Sequence, residues 1–88
     1  MKAVLTTVGK DQVGIVAGVS QCLAQQGINI LDLSQTIMDG YFTMMMVVLV
    51  PEDKEFAQVA KTLHDLGEKL NVKINLRNQE LYQAMHQI

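Results

Sequence analysis

Apolar residues recur along this chain with two different periods, and the alternation between them predicts its elements. Lys2 to Val8 is an extended run rich in β-branched residues, whereas Ile15 to Gln26 repeats apolar residues at helical spacing. The junction Gly9-Lys10-Asp11-Gln12-Val13-Gly14 carries two glycines and opens the helix. Such a turn presents the unpaired backbone N–H groups of a helix start, where a small domain could hold a ligand. Asp11 is expected to serve as the N-cap of that helix.

Beyond the first helix, Gly27 supplies a stop, and Ile28 to Met38 resumes as an extended stretch. Asp39-Gly40 is a two-residue hairpin turn leading into Tyr41 to Val50, so strands two and three are expected to pair. Pro51 ends the third strand and Asp53 is a candidate cap. Phe56, Val59, Ala60, Leu63, Leu66 and Leu70 then draw one apolar stripe on a helix spanning roughly Asp53 to Leu70. Gly67 inside that helix marks either an early end or a close approach of backbones. Val72 to Leu76 reads as a short fourth strand, and Leu81, Tyr82, Met85 and Ile88 form a stripe on a C-terminal helical extension, residues 78–88.

The order strand, helix, strand, strand, helix, strand predicts an α+β, ferredoxin-like βαββαβ sandwich over residues 1–77, with both helices on one face of a four-stranded antiparallel sheet. The third strand is apolar on both faces: Phe42, Met44, Met46, Val48 and Val50 on one, Tyr41, Met45, Val47 and Leu49 on the other. A sheet open to water on one side would alternate with polar residues, so a cover over the second face is expected. The C-terminal extension of the same chain, that of a partner, or a second sheet would each supply it.

Composition narrows the function classes. Eighty-eight residues make one domain, and a domain this small gains from oligomerisation. A net charge of −2, only 7 Lys plus Arg and no tryptophan argue against direct nucleic-acid binding. The run Tyr41 to Val50 is about half a membrane span, and no leader pattern opens the chain, so a cytoplasmic protein without membrane contact is expected. Cys22 is the single cysteine, and its place in the helical pattern predicts a small buried hydrophobe. Met44, Met45 and Met46 invite a copper(I) site, but strand alternation points Met45 away from the other two, which favours packing. His64 and His86 stand too far apart in sequence to show a metal site, and no metal or cofactor is expected. No nucleophile–base pair, carboxylate pair or phosphate-binding loop can be assembled, which points to a non-enzyme.

The first strand, the turn Asp11-Gln12-Val13-Gly14-Ile15-Val16, and Gly27-Ile28-Asn29-Ile30 one helix later together resemble the ACT domain family of small ferredoxin-like regulatory modules. The resemblance covers the chain as far as Arg77, and is nearest to free-standing members similar to the glycine cleavage system transcriptional repressor. The family pattern places Arg-Pro where this chain has Gln12-Val13, and some amino-acid-binding members carry His where it has Gly9. The resemblance implies binding of an amino acid or related metabolite at a homodimer interface formed edge to edge by second strands. It implies that Asp11 and the backbone of Gln12, Val13 and Gly14 come from one chain and Asn29, with Ile30, from the other. Helix-start N–H groups suit a carboxylate, Asp11 an ammonium, and the Asn29 amide both donates and accepts. The alternative is a ligand-free interaction module that docks a protein partner through the Met-rich sheet face and the C-terminal helix.

Overall fold

A computed structural model describes residues 1–79 of the chain. Six elements follow one another: β1 (Lys2–Lys10), α1 (Ile15–Gln25), β2 (Asn29–Met38), β3 (Tyr41–Leu49), α2 (Phe56–Leu70) and β4 (Val72–Asn78). They form the expected ferredoxin-like βαββαβ sandwich, and the four strands make one antiparallel sheet in the order β2-β3-β1-β4. The C-terminal helix expected beyond β4 lies outside the described residues.

The pleat sorts side chains cleanly in the middle of the sheet. Ala3, Leu5 and Thr7 of β1, Phe42, Met44, Met46 and Val48 of β3, and Ile74 of β4 point to one face and are buried. Ile15, Val19 and Leu23 of α1 and Val59 and Leu63 of α2 close over them in a single apolar cluster. Each helix offers its core residues four apart, one above another on the same side. The opposite face carries Lys2, Val4, Thr6, Val8 and Lys10 of β1 and their neighbours Tyr41, Thr43, Met45, Val47 and Leu49 of β3. Met45 therefore does point away from Met44 and Met46.

The hairpin follows from its turn chemistry. Asp39 and Gly40 both take left-handed backbone angles, φ 54° and 82°, as a two-residue turn matching the strand twist requires. Gly67 does not end α2; it lets the helix lie close on β4. A Cβ there would stand 2.7 Å from the Val72 carbonyl oxygen.

Both capping expectations are corrected. The N-cap position of α1 is Gly14, three residues beyond the expected cap Asp11 and with no side-chain cap, because β1 continues to Lys10 and the helix begins at Ile15. Likewise α2 starts from Glu55 without a side-chain cap: Lys54 N–H donates to the Pro51 carbonyl at 3.1 Å, and that turn leaves Asp53 upstream of the helix. Cys22 is half-buried rather than fully enclosed, since it faces the groove between α1 and α2 instead of the sheet.

Candidate ligand site

The sheet has two distinct ends. At one, here the turn end, lie the β1–α1 turn, the Asp39-Gly40 hairpin and the link from α2 to β4; at the other lie the start of β2, the end of β3 and the end of β4. Asp11 is exposed, and its backbone N–H donates to the Gly40 carbonyl at 2.9 Å, so the turn leans against the hairpin. The Gln12 side-chain amide donates to the Leu70 carbonyl and ties the turn to the last residue of α2. Val13, just after these two anchors, is fully exposed.

Gly14 is not a packing glycine. Beyond its chain neighbours nothing stands within 4 Å of where its Cβ would be, and its φ of 99° is the left-handed conformation that a side chain disfavours. Its carbonyl accepts the first helical bond, from Gly18 N–H at 2.9 Å. With no side-chain cap, the first turn of α1 presents the uncapped N–H groups of a helix start. Gly9, where some members of the family resembled above carry His, has no room for one: a Cβ there would stand 2.6 Å from Val72 Cγ1.

Asn29 and Ile30 occupy the other end. Asn29 pairs with Leu49 and Ile30 with Val48, whereas Lys10, next to Asp11, pairs with Tyr41 at the turn end. Eight residues of β3 separate those levels, about 27 Å at strand rise. One chain thus groups Asp11, Gln12, Val13 and Gly14 and keeps Asn29 and Ile30 apart from them.

β2 is the edge of the sheet, as an edge-to-edge interface of second strands requires; what sequence reasoning missed is how far its apolar side lies open. After a bulge at Leu31, Leu33 and Ile37 share the helix-covered side with Met46 and Phe42, yet they are 40% and 58% exposed. Asp32, Ser34, Thr36 and Met38 take the other side. The alternation was legible in the sequence, but the lack of cover over its apolar half was not.

Elsewhere the chemistry is ordinary. The groove between the helices, about 430 Å³ and open, is lined by Gly18, Cys22, Thr62, Asp65, Leu66 and Lys69 among others. Burial pushes the Cys22 thiol pKa up, partly offset by its hydrogen bond from Gln26 at 3.4 Å. Among the described residues no three His, Cys, Asp or Glu side chains gather as metal ligands, and His64 pairs with Glu68 at 3.1 Å on the surface of α2. No helix among them is long and apolar enough to cross a membrane.

An antiparallel sheet of this order under two helices, with a left-handed glycine opening an uncapped first helix, defines a small ferredoxin-like domain. A family model for the ACT domain matches residues 2–77. A UPF0237 protein of Streptococcus mutans is 52% identical over 88 residues, all of both chains. The solved ACT domain protein from Streptococcus pneumoniae superposes with a TM-score of 0.85 at 49% identity, over 93% of each chain. A putative glycine cleavage system transcriptional repressor gives 0.75 at 28% identity, over 86% of this chain and 44% of the other. The chain belongs to the ACT domain family, whose members are regulatory ligand-binding domains rather than catalytic ones.

Proposed function

We propose that the chain is a non-enzymatic sensor: a cytoplasmic homodimer that binds an amino acid or related metabolite between its subunits. The exposed edge strand β2 carries this reading. Its outer backbone groups are unpaired within the sheet, and Leu33 and Ile37 offer an apolar surface level with the core. Antiparallel pairing of β2 with its copy about a twofold axis would satisfy both.

The polarity of β2 supports the same arrangement. Because the strand runs from Asn29 at the far end to Met38 at the turn end, antiparallel pairing sets Asn29 and Ile30 of a second copy beside this chain's turn end. The residues that one chain keeps about 27 Å apart are thereby joined between two. The helix-start N–H groups behind Gly14 would take the ligand carboxylate, Asp11 its ammonium, and Asn29 of the other chain a remaining polar group. Ligand that binds one subunit arrangement better than another shifts the dimer toward it, which is how such a module regulates.

Subunit mixing tests the proposal. A thermal-shift screen of amino acids should give a selective hit, of about 2.7 kcal/mol at 100 times Kd. Asp11→Ala and Asn29→Ala should each abolish it while the protein stays folded and dimeric. Mixed together, the two variants should regain one intact site per heterodimer, because one wild-type turn then meets one wild-type Asn29. No recovery on mixing would refute the shared site, and a flat screen with wild-type protein would refute amino-acid sensing.

A further inference from the structure

At the turn end, apolar side chains lie open beside the uncapped helix start. Val13 is fully exposed in the β1–α1 turn, Val16 is 38% exposed in the first turn of α1, and Ile37 is 58% exposed near the end of β2. All three belong to one corner of the molecule. Ile37 points to the helix-covered side with its partner Phe42, whose neighbour on β1 is Gly9, one residue before Lys10 and the turn. Gly18, Gln21, Cys22 and Gln25 mark the side of α1 that faces α2, and Val16 stands about 160° around the helix from Gly18. Because α1 packs on β2 and α2 on β4, that rotation turns Val16 toward the β2 edge.

Polar groups at this corner are already engaged or point elsewhere. Lys10 lies with its partner Tyr41 on the helix-free face. Asp39 sits at the hairpin tip, and the Gln12 amide nitrogen is held by the Leu70 carbonyl. Asp11 is the single carboxylate of the β1–α1 turn, and the proposed site gives it the ligand ammonium. The part of the corner that faces the helix side therefore offers hydrocarbon.

We infer that the ligand is an α-amino acid with an aliphatic side chain, of the valine, leucine or isoleucine class. The inference rests on the shared site proposed above. Antiparallel pairing of β2 about its midpoint sets Ile30 of the second copy beside Ile37, and Ile30, like its partner Val48, points to the helix side. The ligand hydrocarbon then lies against Val13, Val16 and Ile37 of one chain and Ile30 of the other. Each methylene buried there strengthens binding about fourfold. An aspartate, glutamate or lysine ligand would instead bring a second charge against this wall and find no partner for it.

Calorimetric titration of the wild-type protein with alanine, 2-aminobutyrate, valine, leucine, serine, aspartate, glutamate and lysine tests this. Affinity should rise about fourfold per added methylene from alanine to valine, and the charged amino acids should bind at least about tenfold more weakly than valine. Val16→Ala should weaken valine about tenfold and alanine less than about threefold, the alanine value showing that the site is intact. Selection of serine or a charged amino acid over valine overturns the inference and leaves the shared site standing. So does an aliphatic preference that survives Val13→Ala and Val16→Ala combined, or an equal loss of alanine and valine binding in Val16→Ala. A wild-type protein that binds no amino acid overturns both readings.

Discussion

β2 and β3 are neighbours of almost equal length, hydrogen-bonded along their whole course, and both rich in apolar residues, yet one is core and the other rim. Phe42 is 3% exposed while its cross-strand partner Ile37 is 58% exposed; Met46 is completely buried beside a Leu33 that is not. The paired residues point to the same side of the same sheet. What separates them is cover: Phe42 and Met46 lie in the apolar cluster beneath the helices, whereas on β2 Ile30, at the strand's start, packs against that cluster and Leu33 and Ile37 do not. The apolar side of β2 is therefore left open among the described residues, and the proposed second subunit would cover it.

The largest effect expected from this contrast is at Phe42. Phe42→Ala should cost about 3–5 kcal/mol in denaturant unfolding, whereas Ile37→Ala, measured on dilute monomer, should change stability by less than about 0.5 kcal/mol. The same Ile37 variant should weaken self-association in sedimentation velocity. Equal losses for both residues in the monomer would break the contrast, because β2 would then be covered within one chain.

Gly67→Ala sharpens it at the opposite side of the sheet. Alanine gains about 1 kcal/mol of helix propensity, but its methyl would meet the Val72 carbonyl oxygen at 2.7 Å, and overpacking of that kind costs about 1–3 kcal/mol. A net loss near 1 kcal/mol is expected in thermal unfolding, and a gain would mean that α2 has room to lift from β4.

A smaller effect, of opposite sign, is expected in the centre. Thr7 is fully buried and its hydroxyl finds no hydrogen-bond partner among the described residues. Thr7→Val keeps the shape and removes that unpaired group, so unfolding should become harder by about 1 kcal/mol. Least costly is Cys22. Its thiol pKa is raised above the ordinary 9.0, so the group stays protonated at neutral pH and iodoacetamide should react slowly there. Because the folded value lies above the unfolded one, the thiol favours folding below pH 9.0, and its contribution is lost as pH rises through the folded value. Fast alkylation at pH 7 would show that the groove between the helices is not shielding it.

Much of this was legible in the residues themselves. Period two in Tyr41 to Leu49, the Asp39-Gly40 pair and the stripe from Val59 to Leu70 each specify their element by local sterics and side-chain spacing, so the hairpin and both helices were expected, although α2 begins at Phe56 rather than Asp53. Caps were misplaced because a capping residue is recognised only relative to the first helical residue, and β1 runs two residues further than its β-branched run suggests. The candidate site was half visible: Asp11 to Gly14 form a contiguous turn, and their proximity is local.

What the chain order alone determined, then, is which segments become strands and helices and which side of each is apolar, because those depend on φ/ψ preferences and side-chain spacing within a few residues. Which apolar sides are covered was decided by tertiary structure. Strand order put β2 at the edge and β3 inside, the left-handed turn at Gly14 was left uncapped, and Asn29 was carried to the far end of the sheet. None of these follows from spacing along the chain, because burial is a property of what lies above a residue, not of the residue or its neighbours in sequence.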